Sequence, residues 1–119
     1  MSRAKIMICD DDVSMRAAFK LILSEFYELE TANNGMDVVK KLKASQPDLL
    51  LLDIKMPKAN GLEALREIRK VAPDLKVIVV TGYQSVEAAQ EMSKLGILDY
   101  ITKPFQSKRI LDAVEKGLS

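Results

Sequence analysis

The sequence predicts an α/β fold in which helices cover both faces of a five-stranded parallel sheet. Short apolar runs alternate along the 119 residues with segments whose apolar residues recur at helical spacing. Three of the runs are almost continuously apolar, which is typical of strands buried on both faces. A strict alternation of strand and helix favours parallel strands joined by helical crossovers.

The strands are predicted from runs of apolar and β-branched residues. Their ranges are 4–9 (AKIMIC), 28–32 (ELETA), 48–53 (DLLLLD), 76–81 (KVIVVT) and 98–102 (LDYIT). The second and fifth runs mix polar with apolar residues, so we expect these two strands at the edges of the sheet.

The helices are predicted from stripes of apolar residues between the strands. The five stripes are Met15, Phe19, Ile22, Leu23 and Phe26; Val38, Val39 and Leu42; Leu62, Leu65, Ile68 and Ala72; Val86, Ala89 and Met92; and Ile110, Leu111, Val114 and Leu118. We expect the third helix to begin near Gly61 and Ser107 to cap the fifth. Five strand–helix units are too few for an eight-stranded barrel, so the prediction is an open, doubly wound, flavodoxin-like sheet of order 2-1-3-4-5.

Composition excludes several classes of function. The net charge is +1, which predicts neither direct nucleic-acid binding nor attraction to a membrane, and no apolar run is long enough to span a bilayer. The single cysteine, Cys9, excludes an internal disulfide and is typical of a cytoplasmic protein. The chain has no histidine, so it cannot itself hold a Ser-His-Asp triad, a histidine-containing zinc site or a phosphohistidine.

Polar residues stand at the ends of the predicted strands. They are Asp10, Asp11 and Asp12 after the first strand, Asn33 and Asn34 after the second, Asp53 at the end of the third, Thr81 at the end of the fourth, and Thr102 and Lys103 at the end of the fifth. The carboxyl ends of parallel strands share one edge, and ligands bind there between strands 1 and 3. Taken singly, such aspartates also serve as turn formers or helix caps, and we interpret Asp12 as the N-cap of the first helix. Their convergence predicts a site.

Neighbouring carboxylates from strands 1 and 3 must share protons or bind a cation. A ligand set made of oxygens, without histidine or thiolate, suits Mg²⁺ or Mn²⁺ better than zinc. A lysine and a hydroxyl beside such a metal would complete a site for a phosphoryl group. Because a carboxylate can accept a phosphoryl group covalently, Asp53 is the candidate acceptor.

Four motifs resemble those of one family. The segments ICDDDVSMR, PDLLLLDIKMPKANGLE, VIVVTGY and DYITKPF together resemble the receiver domain of two-component response regulators, most of all the single-domain, sporulation-type phosphorelay regulators. The resemblance covers essentially the whole chain, so residues 1–119 are expected to form one receiver domain.

The resemblance implies a role for each matching residue. Asp53 matches the phosphoacceptor, Asp10 and Asp11 match the acidic pair that binds Mg²⁺, and the backbone carbonyl of Lys55 matches the third protein ligand of the metal. Thr81 matches the hydroxyl that moves toward the phosphoryl group.

Further matches lie in the segment DYITKPF, which overlaps the predicted fifth strand and continues beyond it. Lys103 matches the lysine that pairs with the phosphoryl group, Pro104 a proline that is commonly cis, and Tyr100 an aromatic switch. Gly82 departs from the alanine usual after the Ser/Thr, and we expect it to loosen that loop.

The resemblance implies a phosphoprotein of signal transduction that is a switch, not a metabolic enzyme. It would catalyse only its own phosphorylation and slow dephosphorylation. The donor would be a phosphohistidine supplied in trans by a histidine kinase or histidine phosphotransfer protein. The surface formed by helix 4, strand 5 and helix 5 would then be read by a downstream protein or phosphotransferase. We expect Lys55 and Tyr83, two places after the acceptor and the hydroxyl, to give phosphoryl-Asp53 a lifetime of minutes or longer.

Two alternatives remain open on the sequence alone. One is a docking scaffold of receiver fold that works without phosphorylation, although an intact set of Asp11, Asp53, Thr81 and Lys103 argues against it. The other is a phosphohydrolase with an aspartyl-phosphate intermediate. That mechanism needs an acidic residue two places after the nucleophile, where this chain has Lys55.

Overall fold

A computed structural model describes residues 3–10, 12–54, 58–82 and 86–119 of the chain. Within them the strands are β1 (Lys5–Cys9), β2 (Glu28–Ala32), β3 (Leu49–Ile54), β4 (Lys76–Thr81) and β5 (Asp99–Thr102). The helices are α1 (Val13–Leu23), α2 (Gly35–Ala44), α3 (Lys58–Val71), α4 (Val86–Ser93) and α5 (Ser107–Leu118). None of these helices is long and apolar enough to cross a membrane.

The strands form one parallel sheet of order β2-β1-β3-β4-β5, which confirms the predicted fold class and places β2 and β5 at the edges. The register pairs Cys9 of β1 with Leu52 of β3. The next residue in each chain segment is an aspartate, so Asp10, directly after β1, lies beside Asp53, the fifth residue of β3.

Alternate residues of each strand face opposite sides of the sheet and build two apolar cores. One core, under α2, α3 and α4, contains Met7, Leu50, Leu52, Val77 and Val79. The other, under α1 and α5, contains Ile6, Ile8, Leu51, Ile78 and Val80. The sheet, with the polar residues at the carboxyl ends of its strands, thus lies between two apolar layers.

Two of the predicted helical stripes were wrong in part. Helix α1 ends at Leu23, whose carbonyl accepts hydrogen bonds from the backbone N–H groups of both Phe26 and Tyr27, so the chain turns away and Phe26 is 53% exposed. In α4 the inward face consists of Ala88 and Met92, four residues apart, while Val86 is 74% exposed in the first turn.

Two predicted helix starts were also displaced. Helix α3 begins at Lys58, earlier than Gly61. The N-cap of α5 is Gln106, which is extended and makes no side-chain cap hydrogen bond, and Ser107 is already the first helical residue. Side-chain capping therefore contributes nothing at Ser107.

Arg69 of α3 ties the end of its own helix to the turn after α4. Its Nε donates to the carbonyl of Leu95 at 2.6 Å, Nη2 to that of Gly96 at 3.1 Å, and Nη1 to that of Leu75 at 2.5 Å. Gly96 has a φ of 79°, a left-handed conformation that glycine adopts without strain. One guanidinium thus satisfies carbonyls from two separate loops.

We predict that Arg69→Met lowers the free energy of unfolding by about 2 kcal/mol, because a half-buried carbonyl that loses its donor costs roughly 1–3 kcal/mol. Urea denaturation measures the change. Arg66→Met is the matched control: Arg66 is exposed on the same helix, and its loss should change stability by less than about 0.5 kcal/mol. Equal effects of the two substitutions would contradict the assignment.

Candidate functional site

Two aspartates are buried where the central strands end. Asp10, directly after β1, is 1% exposed, and its backbone N–H donates to the carbonyl of Ala32 at 3.1 Å. Asp53 is the fifth residue of β3, and its side chain is also 1% exposed. Apart from Lys5 at the start of β1, the other residues of β1 and β3 are apolar, so the fold takes both carboxyl groups out of water.

The turn between β1 and α1 is organised by hydrogen bonds to aspartates. Asp10 Oδ1 accepts from the N–H of Asp12 at 2.9 Å, and Asp12 Oδ1 accepts from the N–H of Ser14 at 2.9 Å. Asp12 is therefore the N-cap of α1, as predicted. In addition, Arg16 Nη1 donates to the backbone carbonyl of Asp10 at 2.5 Å.

A lysine from the far side of the sheet reaches Asp53. Lys103 Nζ lies 2.5 Å from Asp53 Oδ2, and the lysine side chain is only 17% exposed. The N–H of Lys103 donates to the carbonyl of Thr81 at 2.9 Å, and its peptide bond to Pro104 is cis, as the resemblance implied. The next residue, Phe105, stacks on Phe19 of α1 with ring centroids 5.6 Å apart.

The pKa of Asp53 is determined by its burial and by its two charged neighbours, Asp10 and Lys103. Burial raises the pKa of Asp53, the neighbouring Asp10 carboxyl raises it further, and Lys103 opposes both, with the result that the pKa lies at about 7. Lys103 alone therefore does not balance the two buried carboxyl groups. A divalent cation with oxygen ligands is the group that such a donor set fits.

The other predicted residues lie around this pair. Thr81, 1% exposed, is the last residue of β4 and pairs in register with Ile54 and Thr102. Tyr100 of β5 is half-buried against the core under α2, α3 and α4. A Cβ built at Gly82 would meet nothing within 4 Å, so this glycine is not required by space.

Three predicted site residues, Asp11, Lys55 and Tyr83, lie outside the described residues. In the part of the chain that the structure describes, no group of three or more His, Cys, Asp or Glu side chains could hold a metal ion. The metal site predicted from Asp10, Asp11, Asp53 and the carbonyl of Lys55 therefore stays a prediction.

Sequence reasoning missed Arg16. Its position, four residues after the N-cap Asp12, is the only signal that the sequence offers, because a side chain one turn into a helix lies over the helix start. That spacing is common in helices, and only the structure shows that the guanidinium turns back onto the Asp10 carbonyl.

Comparison with known proteins gives one consistent family. Residues 6–115 match the model of the response regulator receiver domain. The chain is 40% identical over 115 residues to the chemotaxis protein CheY of Listeria monocytogenes, covering 95% of this chain and 97% of that protein. It is 34% identical over 119 residues to the sporulation initiation phosphotransferase F of Bacillus subtilis, covering 99% and 96%.

Solved structures agree. The crystal structure of a CheY-like response regulator receiver domain protein from Methanospirillum hungatei superposes with a TM-score of 0.90 at 35% identity, covering 98% of this chain and 94% of that one. The family predicted from the four motifs is confirmed.

We predict that the metal-free protein loses stability as pH rises from the ordinary aspartate pKa of 3.8 to about 7. In this range folded Asp53 keeps a proton that the unfolded chain has released, so deprotonation favours unfolding. The loss should be on the order of 4 kcal/mol at saturation. Urea unfolding in EDTA across this range measures it.

Asp53→Asn should remove this part of the pH dependence, because asparagine does not titrate. Asp48→Asn is the control, since Asp48 is exposed immediately before the same strand. If wild type and Asp53→Asn show parallel profiles, the carboxyl of Asp53 is not the group responsible.

Proposed function

The chain belongs to the response regulator receiver domain family, and we propose that Asp53 is the residue on which it accepts a phosphoryl group. Receiver domains of this family accept that group on an aspartate in two-component signalling. The observation that supports Asp53 is its position: it is buried beside Asp10, and Lys103 Nζ lies 2.5 Å from its Oδ2. We also propose that residues 1–119 are one such domain.

Members of the family generally bind Mg²⁺, and we assign its ligands in this chain to Asp10, Asp11, Asp53 and the backbone carbonyl of Lys55. When bound, the metal would neutralise charge on the phosphoryl oxygens and on the carboxyl groups. The chain's own contribution is to bury Asp10 and Asp53 together, which raises the pKa of Asp53 even though Lys103 is in contact with it.

In the proposed transfer an oxygen of Asp53 bonds to phosphorus while the phosphorus–nitrogen bond of a phosphohistidine breaks. The released imidazole takes up a proton. Because this chain has no histidine, the phosphohistidine comes from a histidine kinase or a histidine phosphotransfer protein in trans. Lys103 supplies a fixed positive charge at the acceptor, and the hydroxyl of Thr81 hydrogen-bonds a phosphoryl oxygen afterwards.

Phosphorylation would favour one of two arrangements of the surface formed by α4, β5 and α5. Thr81 ends β4 directly before that surface, and Tyr100 is half-buried in β5. A near-complete switch needs about 5 kcal/mol of difference in binding energy, which charge-assisted bonds to a new dianion can supply. We propose a downstream protein or phosphotransferase as the reader. We also propose that this chain works in the cytoplasm, without direct nucleic-acid binding or membrane insertion.

The test is incubation with acetyl phosphate and Mg²⁺ followed by intact-protein mass spectrometry. We expect one phosphoryl group on the wild type and on the control Asp48→Asn, and none on Asp53→Asn. Lys103→Met should slow phosphorylation by roughly 100-fold, because it removes a fixed charge from the reacting group. A wild type that folds and is never phosphorylated would favour a docking scaffold instead.

The same reaction, monitored after the donor is removed, measures the lifetime of the phosphoryl group. We propose that it lasts minutes or longer in the wild type and shortens in Lys55→Asn. Decay of the wild-type label within seconds would contradict the role proposed for Lys55 and Tyr83, while leaving Asp53 as the acceptor.

A further inference from the structure

Asp10 is held at three separate atoms. Its N–H donates to Ala32 of β2 at 3.1 Å, its Oδ1 accepts from Asp12 at 2.9 Å, and its backbone carbonyl accepts from Arg16 at 2.5 Å. The first bond continues the sheet and the second belongs to the cap of α1. The third comes from the guanidinium of a residue that lies one turn into α1.

The carbonyl of Asp10 belongs to the peptide group that joins Asp10 to Asp11. A peptide group is planar, so the direction of its C=O also sets the direction in which the chain enters the next residue. Arg16 therefore restricts the backbone of Asp10 at its carbonyl. A bond at this point also limits the orientation of the Asp10 side chain.

Arg16 is itself held in place by the turn that it contacts. The N–H of Arg16 donates to the carbonyl of Asp12 at 3.0 Å in the first turn of α1, while Asp12 caps that helix through Ser14. The side chain is half-buried, which restricts the positions open to the guanidinium. The first turn of α1 and the residues before it are therefore joined by hydrogen bonds that also position Arg16.

We propose that Arg16 is a positioning residue for the divalent metal: its bond to the Asp10 carbonyl holds the Asp10 carboxyl in the orientation that binds Mg²⁺. This inference rests on the proposed function, because it assumes that Asp10 is a ligand. Groups that orient metal ligands typically change metal affinity 10- to 100-fold when they are removed.

Geometry and charge predict opposite effects at this position. Arg16 carries a positive charge close to the site, and charge alone would make its removal strengthen the binding of a cation. Loss of the hydrogen bond would loosen the backbone of Asp10 and weaken binding. The sign of the change in Kd therefore distinguishes the positioning role from a simple field effect.

The experiment is a titration of full-length protein with Mg²⁺ alone, monitored by the backbone amide signals in NMR spectra. We expect Arg16→Gln to raise the Kd about 10-fold, since glutamine is too short to reach the carbonyl. Lys20→Gln is the matched control: it removes the same charge from an exposed position one turn further along α1 and should leave the Kd unchanged. An unchanged or lower Kd in Arg16→Gln would overturn the proposal.

The Kd of Arg16→Lys for Mg²⁺ is a second test of the proposal, and it can be made even if Arg16→Gln fails to fold. Lysine keeps the charge but its shorter stem and single ammonium do not reproduce the planar guanidinium, so we expect the Kd to rise about threefold, part of the 10-fold loss. A wild-type Kd in this variant would overturn the proposal. At saturating Mg²⁺, phosphorylation of Arg16→Lys by acetyl phosphate should return to near the wild-type rate, whereas a role in the transfer itself would leave it slow.

The outcomes separate this inference from the proposed function. A wild type that binds no Mg²⁺ would contradict both. A wild type that binds Mg²⁺ and is phosphorylated on Asp53, together with Arg16 variants of unchanged Kd, would contradict the role of Arg16 alone.

Discussion

The burial of two carboxyl groups side by side is the constraint on which the rest of the structure depends. The pairing of Cys9 with Leu52 brings Asp10 and Asp53 to the same level of the two central strands, and both are almost fully removed from water. Ionising both groups in such a place is costly, and this cost is what raises the pKa of Asp53. A site of this kind favours any ligand that brings positive charge.

Lys103 offsets only part of this cost, because the pKa of Asp53 stays raised although the two side chains are in contact. Lys103 follows β5, and its backbone N–H donates a hydrogen bond to the carbonyl of Thr81. The lysine in contact with Asp53 is therefore linked to β4, the strand that ends in the hydroxyl of Thr81. On the other side, Arg16 binds the main chain of Asp10 and not the carboxyl of Asp53. The proposed metal would bring further positive charge to the two carboxyl groups, and the proposed switch would act through the link from Lys103 to Thr81.

Much of this was predictable from the sequence, because strand ends are marked by sharp changes from apolar to charged residues. The sheet order, the edge strands and the placement of Asp10, Asp53, Thr81 and Lys103 at one edge are as predicted. Local helix details were less predictable: whether Val86 or Ala88 faces inward depends on how α4 is rotated against the sheet, and short stripes do not determine that rotation. Arg16 was missed because it bonds a backbone carbonyl, which any residue has, and because its spacing from the N-cap Asp12 is common in helices.

The most direct measurement is the titration of the Asp53 carboxyl carbon by NMR, with the signal assigned by its absence in Asp53→Asn. In EDTA we predict a midpoint at about 7, and added Mg²⁺ should move the midpoint well below that value. A midpoint near the ordinary 3.8 without metal, or one that Mg²⁺ leaves in place, would contradict the claim that a buried and undercompensated carboxyl pair creates this site.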